Sequence, residues 1–119
     1  MRQVVSTQDE LHNKPLTEPV LLILASLARE PLHGYALMKD IETLSQGRVR
    51  ISTGTLYGAL RRLLDDGWIE RFEQEDTARD KQAYRLTGAG RKQLQAEIAR
   101  MSQIVKAASP RLRAVRSNI

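Results

Sequence analysis

The amino-acid sequence predicts a mainly α-helical domain with a small β-hairpin. Three observations carry that expectation. Apolar residues recur at helical spacing in four stretches, within 17–31, 35–44, 52–64 and 88–109. Two short runs of β-favouring residues, 68–73 and 83–87, flank a polar loop. Proline or glycine punctuates the junctions, at Pro31, Gly34, Gly47, Gly67 and Pro110. At 119 residues the chain fits one domain with an appended helix.

Residues 1–16 are polar and mixed in charge, and read as an arm or a short extra helix. Thr17-Glu18-Pro19 opens the first helix with a capping hydroxyl, a first-turn acid and a proline where no amide partner is needed. Val20 to Ala28 is apolar nearly all round, which places this helix at the centre of the core. His33-Gly34-Tyr35 then turns the chain into a second helix, with Leu37, Ile41 and Leu44 inward. Tyr35 stands at its start, where a phenol either bonds a phosphate near the positive helix end or closes the core. His33 reads as a capping or packing residue, because the only other histidine is His12 and there is no cysteine to complete a metal site. Ser45-Gln46-Gly47 is a turn, and Arg48-Val49-Arg50-Ile51 a short extended lead into Ser52.

The third helix, 52–64, has two unlike faces. Leu56, Ala59, Leu60 and Leu63 form an apolar stripe for the core. Thr53, Tyr57 and Arg61 follow at i, i+4 and i+8 on the outward side. No acid precedes Asp65, and Gly54 and Gly58 thin the outer surface. Ser52 is a good N-cap and Gly67 a good stop. Hydroxyls and guanidinium groups donate to phosphate oxygens and base edges, and small residues allow close approach. Helix, turn, helix and then this polar-faced helix is the layout of a helix-turn-helix whose later helix enters a major groove.

The hairpin that follows reads as a wing, with Arg79 and Lys81 in its loop as candidate backbone contacts. Thr87 caps the last helix, 88–109, in which Leu94, Ile98, Met101 and Val105 are spaced 4, 3 and 4. So narrow a seam suits a partner helix; packing back on its own domain is the other use of the stripe. Pro110 is expected to end the helix, leaving 110–119 as a free basic tail. The expected domains are therefore the arm, 1–16; a winged helix-turn-helix, 17–87; a dimerisation helix, 88–109; and the tail.

Composition bounds the function. Lys+Arg of 19 against Asp+Glu of 14 gives a net charge of +5, which fits a polyanionic partner. The absence of cysteine removes disulfide and thiolate chemistry, and no Ser/His/acid set or phosphate-cradling glycine motif stands at a credible spacing. No enzyme, cofactor or metal is expected. The longest apolar run, Val20 to Ala25, is too short to span a bilayer, so a cytoplasmic protein with no membrane partner is the default.

Leu32-His33-Gly34-Tyr35, Gly54-Thr55-Leu56-Tyr57-Gly58-Ala59-Leu60 with Leu63, Gly67 and Ile69, and Tyr84-Arg85-Leu86-Thr87 with Gly90 occur here in a characteristic order and spacing. Together they resemble the PadR family of transcriptional regulators, from about Thr17 to Met101. The resemblance implies a winged-helix repressor that binds double-stranded operator DNA as a homodimer through its C-terminal helix. In many members a small-molecule effector releases the DNA. It carries a DNA-binding role onto Tyr35, Thr55 and Tyr57, and onto Arg79 and Lys81 in the wing; Ser52, Thr53 and Arg61 join them by position on the third helix. The chain departs from the family at Thr53, where proline is frequent, and at Gln82-Ala83, where basic and aromatic residues are frequent. Its last helix has no aromatic residue, which argues against a stacking drug site between subunits. The alternative function is a winged-helix protein–protein interaction module, with Tyr57 and Arg61 as hot spots.

Overall fold

A computed structural model of the protein describes residues 15–73 and 82–117, with side chains through 114. Helix α1, Glu18–Leu27, is capped by Thr17, whose hydroxyl accepts from the Val20 amide. Ile23, Leu24 and Leu27 are buried, and every α1 residue from Pro19 onward is at least partly covered. A two-residue strand β1, Leu32–His33, leads into helix α2, Gly34–Leu44. Leu37 and Ile41 are buried as expected, but Leu44, expected inward, is 48% exposed. It stands in the last turn, after which Gln46 and Gly47 reverse the chain at positive φ.

Helix α3, Thr53–Asp65, follows the lead segment, whose residues 48–52 form no strand. Leu56, Ala59, Leu60 and Leu63 are all buried, so its apolar stripe enters the core as expected. The helix ends in a Schellman turn: Trp68 donates to the Leu63 carbonyl, Gly67 donates to that of Leu64, and Gly67 sits at φ +78°. Strands β2, Ile69–Phe72, and β3, Ala83–Leu86, pair antiparallel, with Glu70 opposite Arg85 and an ion pair of 2.7 Å between them. The expected hairpin is in fact two strands of three. β1 pairs with β3 on its other side, with Leu32 opposite Tyr84 and His33 opposite Ala83, giving the order β1-β3-β2. Two residues are too few to show alternation, so the sequence read this stretch as a turn.

Helix α4 runs Gly88–Ser117. The Thr87 hydroxyl accepts from the Gly90 amide at 3.0 Å, and donates to the Gly67 carbonyl at 2.6 Å. Gly90 is required here, because a Cβ would lie 2.0 Å from the Trp68 carbonyl oxygen. The inward face of α4 is Gly90, Leu94 and Glu97, with Met101 half-buried. Two expectations change. Leu94 is buried in the chain's own hydrophobic core, because α4 first packs on the domain, so it is not part of an exposed seam. The helix also continues through Pro110, which was expected to end it at 109. Proline deprives the Lys106 carbonyl of its amide partner, but Lys106 is exposed, where water can serve that carbonyl.

Candidate nucleic-acid interface

The surface the sequence singled out is the outer side of α3. Ser52, Thr53, Gly54, Thr55, Tyr57, Gly58 and Arg61 are all exposed, on one contiguous helix face and its cap. Ser52 is tied up in that cap: its Oγ accepts from the Thr55 amide at 3.2 Å and donates to the Thr55 hydroxyl at 3.0 Å. Arg61 carries no ion pair among the described residues. The arginines just before α3 are different, since Arg48 pairs with Glu18 and Arg50 with Glu42 at 3.2 Å. Those contacts hold the lead segment against α1 and α2; hydrogen bonding to Glu18 raises the Arg48 pKa, and hydrogen bonding to Arg48 lowers that of Glu18.

Gly54 and Gly58 decide what kind of surface this is. A Cβ built at either would meet nothing within 4 Å. Nothing inside the protein therefore requires glycine there, although each costs a helix roughly 1 kcal/mol relative to alanine. A thin helix face that the fold does not need is suited to close approach by something outside the fold.

Tyr57 and Tyr35 meet at the start of α2. Tyr35 is 69% exposed, so it does not close the core, and the Lys39 ammonium lies 5.5 Å from its ring centroid. Tyr57 is half-exposed and its phenol lies over Gly34, where a Cβ would come within 2.1 Å of the hydroxyl. Gly34 thus lets α3 lock onto the first turn of α2, a pairing that sequence reasoning missed; the signal was the glycine between His33 and Tyr35. A cavity of about 460 Å³ opens there, between Tyr35, Tyr57 and the buried Tyr84. Burial raises the Tyr84 pKa, with Tyr57 adding to the shift and Arg71 opposing it.

The remaining predicted residues fall elsewhere. Arg79 and Lys81 lie outside the described residues. Ile98 and Val105 are 51% and 61% exposed, and Ile104 and Leu112 join them on the outer part of α4 at 52% and 70%. Sequence reasoning also missed Glu97, which is buried on the inward face of α4. It accepts from the Leu16 amide at 3.4 Å and pairs with Arg100 at 2.5 Å, and the guanidinium holds its carboxyl below the usual carboxylate range. No group of His, Cys, Asp and Glu among the described residues could hold a metal ion, and no helix is long and apolar enough to cross a membrane.

A helix-turn-helix followed by an antiparallel strand pair, with an outward helix face that holds no acid before Asp65, is the winged-helix arrangement. Residues 23–96 match the model of the "Transcriptional regulator PadR-like family", and the chain belongs to that family. It is 33% identical over 86 residues to the transcriptional regulator Rv3488 of Mycobacterium tuberculosis, covering 72% of this chain and 78% of that one. It is 38% identical over 84 residues to an uncharacterized 37.1 kDa protein in a transposon of Streptomyces fradiae; the match covers 71% of this chain but 23% of that protein. Among solved structures, a PadR family transcriptional regulator from Eggerthella lenta superposes with a TM-score of 0.64 at 29% identity, covering 87% of this chain and 86% of that one. Residues 23–96 therefore carry the domain that defines a family of transcriptional regulators.

Proposed function

We propose that the chain is a homodimeric, sequence-specific repressor whose α3 lies in the major groove of its operator. The observation that carries this reading is the pair of glycines on the exposed face of α3, which no neighbour in the fold requires. Thr53, Thr55 and Tyr57 then face bases or phosphates, while Ser52 sets the helix start. Arg61 contacts phosphate, and Arg79 and Lys81 of the wing hold the neighbouring backbone. Tyr35, exposed beside Lys39, touches the backbone next to α3.

Dimerisation rests on α4. Beyond Met101 every described residue except Ser109 is exposed, yet Ile98, Ile104, Val105 and Leu112 are large apolar side chains. Since the helix passes Pro110, the seam of Ile98, Met101, Val105, Ala108 and Leu112 keeps its 3-4-3-4 spacing over two heptads clear of the core. An exposed apolar stripe of that length supports a second copy as its partner. Two copies would read a palindrome with half-sites about one helical turn apart.

The test is the salt dependence of DNA binding by Arg61→Ala. A phosphate contact predicts weaker binding to all duplexes alike and a salt slope lower by ~1. A loss confined to one operator base would reassign Arg61 to base readout. Salt-independent binding, or none, by the wild-type protein would favour the protein-interaction module.

A further inference from the structure

Helix α4 carries seven cations and a single acid, Glu97. Glu97 is buried and holds Arg100, so the solvent side of this 30-residue helix presents cations alone. The other three helices differ, since Glu18 on α1, Glu42 on α2 and Asp65 on α3 all reach solvent at least in part. We infer that the solvent side of α4 is a second phosphate-binding surface, which holds another stretch of duplex DNA while α3 reads the operator. The link to the operator rests on the proposed function; the phosphate-binding surface does not.

The fold does not account for these charges. Exposed helices commonly offset their cations with carboxylates three or four residues away, and α4 has none besides Glu97. A helix start favours acids, yet the first turn of α4 holds none, and Arg91 and Lys92 follow Gly90 directly.

Position then sorts the cations. Arg91 reaches the Ala28 carbonyl at 3.5 Å, Arg100 is held by Glu97, and Arg111 lies on the apolar side with Ile104 and Leu112. Lys92, Lys106 and Arg113 recur at multiples of seven residues, with Ala99 at the intervening place, and all four are exposed. Neither Lys92 nor Lys106 has an ion pair among the described residues. The stripe runs for roughly 30 Å, close to one turn of a duplex. Ala99 and Ser102 keep the surface between the cations low, so phosphates can come close.

The same placement chooses among polyanions. At 3.6 residues per turn the stripe lies roughly 140° around the helix from Ile98, Met101, Val105 and Leu112. An anionic membrane takes a helix whose cations border its apolar face, so that both enter the interface together. On α4 the two sides point apart, and burying one lifts the other out. Duplex DNA asks only for cations and close approach. A dimer joined through the apolar stripe leaves the cationic side open. Helix α4 packs on α1 and β3, whereas α3 packs on α2 and β2, so the two DNA surfaces are separate.

The test compares the full chain with its double variant Lys92→Gln/Lys106→Gln, whose exposed side chains the core does not use. An operator duplex enriched from a randomised pool is fixed to beads and saturated with protein, and a fluorescent duplex without the operator is then offered. The wild type should capture the second duplex at low salt and release it as salt rises, while staying on the operator. The double variant should keep its operator affinity within about threefold and capture at least about tenfold less of the second duplex, with a salt slope for capture lower by ~2. No capture by the wild type, or equal capture by the double variant, overturns the surface. So does variant-sensitive sedimentation with phosphatidylglycerol vesicles in the absence of DNA capture, which would make the partner a lipid. A protein that enriches no operator, yet binds duplexes more weakly in the double variant, would overturn operator reading and leave the α4 surface standing.

Discussion

Gly58 has open space where a side chain would be, and alanine is the better helix former. Gly58→Ala should therefore stabilise the fold by roughly 1 kcal/mol, raising Tm by about 4–8 °C. The same methyl thickens the face turned to the groove and should weaken operator binding by at least about tenfold, or about 1.4 kcal/mol. Thermal denaturation and anisotropy on one variant check both; a stabilised variant with undiminished affinity would remove α3 from the interface. Gly34 and Gly90 stand in the opposite situation, since Tyr57 and the Trp68 carbonyl fill the space beside them. At this scale the sequence was partly readable. The inward leucines of α3 follow from spacing alone, whereas the Tyr57–Gly34 lock joins residues of different helices and leaves no periodic trace.

Among the elements, α4 departs most from its sequence expectation. Heptad spacing marked the stripe but not which part of it the domain would claim. Leu94 went to the core, while the continuation past Pro110 adds Leu112. The proline rule misled here because it weighs a lost hydrogen bond that an exposed carbonyl can recover from water. Ile98 is now the sharpest probe of the seam, being half-exposed in the single chain and hence dispensable to its fold. Ile98→Glu should sediment as a folded monomer, since an unpaired charge buried in a dimer costs several kcal/mol. A variant that remains dimeric would move the interface off this stripe. Strand β1 escaped notice for a different reason: two residues carry no alternation, and its pairing with β3 is purely tertiary.

Across the whole molecule, the charge of +5 says less than its distribution. Arg48, Arg50, Arg85 and Arg100 have carboxylate partners, so composition alone overstated the cations free to meet a polyanion. One pair ties the molecule together. Glu97 of α4 holds Arg100 and the amide of Leu16, just ahead of α1. Because its folded pKa is lowered, its stabilisation is present above the unfolded value of about 4.3 and fades as pH falls through the folded value. Glu97→Gln should be about 1 kcal/mol less stable at pH 7, with the gap to wild type narrowing below about pH 4. Denaturant melts from pH 7 to 3 would show it; a gap unchanged at pH 3 would deny the carboxylate this role.

The central claim is that the outer face of α3 reads a DNA sequence. Its most direct test is to select duplexes from a randomised pool with the purified chain. Binding of the enriched duplex and a scrambled one is then compared by anisotropy across a salt series. The expected result is a palindromic site, preferred over its scramble by ~10³ or more, with affinity falling steeply as salt rises. No enrichment, with equal weak binding to both duplexes, would contradict it.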